Sequence, residues 1–261
     1  NEKENCGIGF VANMKGRATH EIIRQGIEVL NKLEHRGACG SDPLTGDGAG
    51  LLIQMPHKFF KSQCPKIDIE LPEQGKYGTG LVFFPKDARI HSFLDTFNKI
   101  IKQEGLSLLG WRKVPVDNTT IGHVAREAEP EIWQPFIAQG ENPIDQEELE
   151  RRLYKVRKLV GKEIHYAGEA EYFVSFYICS LSTRTFCYKG QLMSNQLETY
   201  FLDLKDPEIE SALALVHSRY STNTFPSWGR AQPMRLIAHN GEINTVRGNQ
   251  NWMRAREGMF D

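Results

Sequence analysis

The segment Ala212-Leu-Ala-Leu-Val-His217-Ser-Arg219-Tyr-Ser-Thr222 begins as an apolar run and ends in polar side chains. A run of this length reads as a buried strand that delivers its last residues into a loop, and Thr224-Phe-Pro-Ser-Trp-Gly229 is that loop. An arginine released at a strand end, Arg219, is placed to hold a carboxylate through two parallel N–H···O bonds; a plain surface arginine is the competing reading. Further on, Leu236-Ile-Ala leads into His239-Asn240-Gly241-Glu-Ile-Asn244. Here the Asn240 side-chain N–H and the unobstructed Gly241 backbone N–H can face one developing oxyanion, although an isolated Asn-Gly is also an ordinary turn.

Upstream, Cys6-Gly7-Ile-Gly9-Phe-Val-Ala12 is a strand-length run with a thiol at its head. Its two glycines let a backbone approach a ligand closely, and a small buried thiol is the alternative. The same residues match G-x-G-x-x-A, but a dinucleotide turn must follow an apolar strand, and Asn1 to Asn5 are hydrophilic. Gly46-Asp-Gly-Ala-Gly50 lacks the Lys-Ser/Thr of a phosphate loop and reads as a tight turn before the strand Gly50–Met55. That strand is expected to pair directly with Cys6–Ala12. Cys6 with His217 or His239 as base would make a papain-like pair, and spacing alone leaves this open.

Helical spacing of Ile22, Ile23, Ile27, Leu30 and Leu33 predicts a helix from Thr19 to Leu33, capped by Thr19. Leu81–Phe84 reads as a strand, Ala88–Glu104 as a helix and Leu106–Val116 as extended. Asp145–His165 is an amphipathic helix on the spacing of Leu149, Leu153, Val156, Val160 and Ile164. Tyr172–Cys179 and Arg184–Tyr188 read as a hairpin. Asn249–Glu257 is helix-like, and the chain stops soon after it without a terminal cap, as a fragment of something longer would.

The 261 residues are 40% hydrophobic and 25% charged, with 32 Lys+Arg against 33 Asp+Glu. This is the composition of a soluble globular protein of one large domain, and its near-zero net charge provides no basic field for nucleic acid. A small ligand is expected. The apolar stretch Tyr172–Leu181 falls short of the roughly 18 residues a spanning helix needs, and no secretion signal is visible, which favours a cytoplasmic setting. The five cysteines are scattered without a C-x-x-C pair, and the eight histidines lack H-x-x-x-H spacing. Reduced thiols and no metal site are therefore expected.

Taken together, Cys6-Gly-Ile-Gly-Phe, Glu34-His-Arg36-Gly, Gly46-Asp-Gly-Ala-Gly, His217-Ser-Arg-Tyr-Ser-Thr-Asn-Thr-Phe-Pro-Ser-Trp, Ala231-Gln-Pro and His239-Asn-Gly-Glu-Ile-Asn-Thr stand in a distinctive order. The chain resembles the class II glutamine amidotransferases, which are N-terminal-nucleophile hydrolases. Phe225-Pro-Ser-Trp, Gly248-Asn-Gln-Asn-Trp-Met and Ala255-Arg-Glu are similar to the glutamate synthase branch in particular. The resemblance implies an α+β fold, a four-layer αββα sandwich of two antiparallel sheets between helical layers. It implies Cys6 as nucleophile with its own α-amino group as base, Asn240 and Gly241 as oxyanion hole, Arg219 and Thr222 as substrate-binding residues, and Arg36 as a supporting arginine near the nucleophile. L-Glutamine would be hydrolysed to glutamate and ammonia, and the ammonia passed to a synthase domain of the same polypeptide that aminates 2-oxoglutarate. FMN and an iron–sulfur cluster are implied for that parent enzyme, with NADPH, NADH or ferredoxin as electron donor and a smaller electron-donating subunit or ferredoxin as partner.

Two departures accompany the resemblance. Asn1 to Asn5 precede Cys6 as a leader remnant, so the Cys6 amine is held in a peptide bond and this form is expected to be inactive. The acidic residue that the family uses for the substrate α-amino group would come after Asp261, so residues 6–261 are expected to be a domain truncated on its C-terminal side. A glutaminase domain of another class II enzyme, or a non-catalytic glutamine-binding module, are the alternatives.

Overall fold

The computed structural model describes residues 6–40, 42–87, 89–166, 176–221, 224–241 and 245–259. Asn1–Asn5, Thr222 and residues 172–175, on which expectations above rest, lie outside them. In chain order the strands are β1 (Gly7–Ala12), β2 (Ala49–Gln54), β3 (Tyr77–Thr79), β4 (Val82–Phe84), β5 (Leu106–Lys113), β6 (Glu131–Gln139), β7 (Tyr177–Ile178), β8 (Thr185–Gly190) and β9 (Leu213–Ser218). The helices are α1 (His20–Lys32), α2 (His57–Gln63), α3 (Arg89–Gln103), α4 (His123–Glu127), α5 (Gln146–Tyr166), α6 (Leu197–Tyr200) and α7 (Val246–Glu257).

The first sheet has the order β1-β9-β2-β8 and is antiparallel throughout. The expected direct pairing of β1 with β2 does not occur, because β9 lies between them. β1 and β2 run in the same direction, and an intervening β9 gives both an antiparallel ladder, which is slightly more stable per residue than a parallel one. Helix α1 covers one side of this sheet with Ile22, Ile23, Ile27 and Leu30, all buried. Its approach is close: a Cβ on Gly9 would meet Val29 at 2.6 Å, and one on Gly7 would meet Leu33 and Arg36 at 3.0 Å. These two glycines therefore admit a helix and not a ligand, which also disposes of the dinucleotide turn. Thr19 stands at the N-cap of α1 without a side-chain cap bond. Its backbone is instead bridged to Ser211, with N–H···O bonds of 3.0 and 3.3 Å.

The second sheet has the order β3-β6-β4-β7, with β5 on the other side of β6. No strand is predicted over β6, which Pro135 interrupts; proline ordinarily argues against a central strand. In the fold Pro135 stands opposite Trp111 of β5, between the stretches that pair with β3 and β4. The expected amphipathic helix is α5, whose Leu149, Leu153, Val156, Val160 and Ile164 are all buried. Together with Phe93, Phe97, Ile100 and Ile101 of α3 they cover Val82, Phe84, Ile137 and Ile178 of the sheet.

The expected hairpin is a correction. β7 pairs with β4 in the second sheet, and β8 pairs with β2 in the first. The intervening turn is tied down where it crosses: Ser182 and Thr79 exchange backbone bonds of 3.1 and 3.0 Å, and Glu150 of α5 accepts from Ser182 Oγ and from the Thr183 N–H. Both strands are buried on both faces, so each is better satisfied inside a different sheet than in an isolated two-stranded ribbon. One face of each sheet contributes to the larger core, which includes Leu51, Val216, Phe186 and Tyr188 with Phe60, Phe83, Phe136 and Trp228. The result is an α+β fold of two antiparallel sheets with helices against each, as the resemblance implies.

Candidate active site

The site forms at one end of the β1–β9 ladder. Register pairs Gly7 with Ser218 and Ile8 with His217, so the residues one step further out, Cys6 and Arg219, face each other. The ladder continues there as side-chain chemistry: the Tyr220 N–H donates to Cys6 Sγ at 3.3 Å, and Sγ–H donates to Tyr220 O at 3.5 Å. Cys6 is half-buried. The other thiols divide differently. Cys39 is exposed, whereas Cys64, Cys179 and Cys187 are buried. Burial pushes these three up to about 11, about 12 and about 11, respectively. Thiols so held in apolar surroundings are poor nucleophiles.

Arg219 is only 8% exposed, which sets aside the surface-arginine reading. Its backbone N–H donates to Gly48 O at 2.8 Å. The guanidinium donates to Asp47 O at 3.2 Å and to Thr224 Oγ1 at 2.8 Å. Burial pulls its pKa down, and the nearby Asp47 and Cys6 charges oppose that pull. A guanidinium carries five N–H donors in a rigid fork, so these two bonds fix its plane and leave capacity for an anion.

Asp47 is the residue that sequence reasoning missed, because Gly46-Asp-Gly looked only like a turn. Its Oδ2 accepts the Ser221 N–H at 2.6 Å, and its own N–H donates to Ala38 O at 2.9 Å. Burial raises its pKa, with the Ser221 bond and the Arg219 charge acting in the opposite direction. Asp47 thus holds both the Arg219 fork, through its backbone carbonyl, and the backbone at Ser221, through its carboxyl. The signal available in the sequence was an acidic residue between two glycines, a feature that a turn does not require.

Asn240 and Gly241 are exposed, and the residue before them is held firmly. His217 Nε2 donates to His239 O at 2.9 Å. The His239 N–H donates to Gln232 Oε1 at 3.0 Å, and Gln232 Nε2 lies 3.3 Å from His239 Nε2. A Cβ on Gly50 would strike Gln232 O and the Pro233 ring, so only glycine lets residues 232–233 cross β2 here. Because side chains alternate along a strand, Cys6 shares the face of Ile8 and His217, about 7 Å from Ile8 along β1. The His217–His239 bond therefore sets the chain leading into Asn240 and Gly241 on the Cys6 side of the sheet. The Gly241 backbone nitrogen lies 3.3 Å from His239 Nδ1.

His217 is fully buried, and burial pulls its pKa down to about 4. At neutral pH it is an uncharged ring whose Nε2–H is committed to a carbonyl, while its buried Nδ1 has no hydrogen-bond partner among the described residues. A base near pKa 4 takes little of a thiol's proton at pH 7, which removes the support for a papain-like Cys6–His217 pair. Arg36 is half-buried in a short 3₁₀ turn, Glu34–Arg36, its Cβ against the start of β1. Among the described residues no group of three or more His, Cys, Asp or Glu side chains is arranged to hold a metal ion, and no helix is long and apolar enough to cross a membrane.

The sequence matches the family "Glutamine amidotransferases class-II" over residues 6–261. It is 48% identical to the "Glutamate synthase [NADPH] large chain" of Bacillus subtilis over 260 residues, covering 99% of this chain and 17% of that protein. It is 46% identical to the "Glutamate synthase [NADH]" of Schizosaccharomyces pombe, over 99% of this chain and 12% of the relative. Identity to the "Ferredoxin-dependent glutamate synthase 2" of Synechocystis is 40%, over 98% of this chain and 16% of the relative. The chain thus spans between 12% and 17% of the length of these relatives. With a family match that starts at Cys6 and runs through Arg219, Asn240 and Gly241, the chain belongs to the class II glutamine amidotransferases.

Proposed function

We propose that this chain is the glutaminase part of a glutamate synthase and hydrolyses L-glutamine at Cys6. The observation that carries the reading is the register of β1 on β9, which sets Cys6 opposite a buried arginine, on the sheet face to which the His217–His239 bond ties the segment leading to Asn240 and Gly241. The family match begins at Cys6 and omits Asn1–Asn5. Removal of that leader gives Cys6 a free α-amino group, whose reference pKa of about 7.7–8.0 lies close to the thiol's of about 8.5. The amine takes the thiol proton, and the thiolate attacks the side-chain amide carbon of glutamine. The Asn240 side-chain N–H and the Gly241 N–H stabilise the tetrahedral oxyanion. The carbon–nitrogen bond breaks, ammonia leaves with the proton from the amine, and water hydrolyses the thioester to glutamate. Arg219 holds the substrate α-carboxylate, Thr222 lines the same pocket, and Arg36 supports the start of β1. No histidine takes part as a base.

Ammonia released here would feed a synthase domain of the parent polypeptide that aminates 2-oxoglutarate. FMN and an iron–sulfur cluster would be held by other regions of that parent. The names of the relatives include NADPH, NADH and ferredoxin types, so the electron donor is assigned by assay of the parent protein. The proposed setting is cytoplasmic.

The reading is tested on the full-length protein carrying Cys6 as its first residue. Ammonia release from glutamine is expected, and Cys6→Ala and Cys6→Ser are each expected to abolish it while the melting temperature stays within a degree or two. Full activity in a protein shown by mass spectrometry to retain residues 1–5 would refute the α-amine as base. Glutamine binding by calorimetry without ammonia release would instead identify a binding module.

A further inference from the structure

We infer that Gln232 is a positioning residue of the proposed oxyanion hole: by donating to His239 Nε2 it holds the imidazole in its Nδ1–H tautomer, which deprives Gly241 of its internal acceptor and turns that N–H toward the substrate oxygen. The inference rests on the glutaminase reading above.

The argument is a count of donors and acceptors. The His239 backbone N–H can only donate, so the Gln232 amide must present its oxygen to it, at 3.0 Å. That choice fixes the amide orientation and leaves the Gln232 NH₂ 3.3 Å from His239 Nε2. An NH₂ group can only donate, so this contact requires a bare Nε2. At the other side of the ring the Gly241 N–H lies 3.3 Å from Nδ1, and that contact requires a bare Nδ1. A neutral imidazole has one bare nitrogen. The two contacts exclude each other, and the ring must satisfy one of them.

Burial decides which one. Gln232 is 5% exposed, and its NH₂ has no ready access to water in place of the ring. A buried donor left without a partner bears the full desolvation penalty of that group. Gly241 is exposed, and among the described residues no atom lies within 4 Å of the position a Cβ would take, so its peptide has room to turn. The Nδ1–H tautomer therefore prevails, and its proton then faces the Gly241 N–H donor to donor. Movement begins only after residue 239, because His217 Nε2 holds the His239 carbonyl at 2.9 Å. The released N–H points away from the imidazole and is available to a developing negative charge.

Gln232→Glu tests this on the full-length protein with Cys6 first, assayed for ammonia release at mildly alkaline pH. A carboxylate still accepts the His239 N–H, but it also accepts from the ring and so selects Nε2–H, leaving Nδ1 to hold Gly241. Loss of a full oxyanion donor typically costs about 10²–10³ in rate. A fall in kcat of about tenfold or more, with KM for glutamine within about twofold, is expected; an unchanged kcat, or a fall in kcat matched by a rise in KM, overturns the inference. The double variant Q232E/H239Q, with no atom at the Nδ1 position, is expected to recover kcat at least about fivefold over Q232E. If Q232E melts far below wild type, kcat is compared between H239Q and H239N, the latter putting an amide at the Nδ1 position. A ratio of about five or more in favour of H239Q supports the inference, and a smaller ratio overturns it. A wild-type protein without glutaminase activity would bring down the functional reading itself, which separates the two failures.

Discussion

The α3/α5 side of the second sheet and the β1–β9 end of the first place their polar groups in opposite ways. The second sheet, under α3 and α5, is sealed by apolar packing: Phe84, Phe97, Trp111 and Phe176 meet at centroid distances between 5.1 and 6.3 Å. The β1–β9 end of the first sheet leaves Phe10 70% exposed and Ile8 40% exposed, while it buries His217, Arg219, Asp47 and Gln232. Burying apolar rings stabilises a fold in proportion to the area removed from water. Burying imidazole, guanidinium, carboxyl and amide groups costs free energy unless each is bonded, and it fixes their orientation. One region therefore supplies stability, and the other uses some of it to hold side chains in place.

Phe97→Ala should break the sealed region. The ring is fully buried, and its truncation is expected to destabilise the protein by about 3–5 kcal/mol in urea melts. Glutaminase kcat at a temperature where the variant remains folded should stay near wild type; a loss of kcat there would mean that the two regions are coupled. Arg219→Ala should do the reverse. Removal of a charge-assisted pair is worth about 2–3 kcal/mol, so KM for glutamine should rise by about 30–150-fold. A KM that stays unchanged would show that this arginine does not touch the substrate.

A third comparison uses acid. The folded protein keeps His217 neutral down to about pH 4, whereas an unfolded histidine protonates near 6.5. Between those values the unfolded chain binds more protons, so stability is fully present above about pH 6.5 and is lost as pH falls toward 4. The gap corresponds to about 3 kcal/mol, and His217→Gln should flatten this part of the profile measured by denaturant melts. Asp47 has the opposite sign. Its carboxyl pKa is raised by burial, so its contribution is present below the ordinary carboxylate range and is lost as pH rises through the raised folded value. Asp47→Asn, which can still accept the Ser221 N–H, should gain melting temperature relative to wild type between pH 4 and pH 8. This is the smallest of the effects, and a loss at pH 8 would show that the charge on Asp47 is needed by Arg219.

Helices α1, α3 and α5 and strand β9 were legible because a burial pattern of period 3.6, or a continuous apolar run, depends only on neighbours in the chain. β6 was hidden by Pro135, and the supposed hairpin joined strands that belong to different sheets, because pairing partners are chosen by what covers each face. At the site, Cys6, Arg219, Asn240 and Gly241 were named from motif order. Asp47, Gln232 and His217 acquired their parts only from contacts across 172, 7 and 22 residues of sequence, respectively.

By itself, then, the amino-acid order determined which segments bury apolar faces and which reactive groups the chain carries. Only the tertiary structure decided that β9 lies between β1 and β2, that the buried imidazole of His217 is kept neutral, and that Asp47 and Gln232 bond the backbone at Ser221 and His239. The physical reason is that local patterning measures how much surface a segment must hide, whereas the protonation state and partner of a polar group are set by whatever is folded against it.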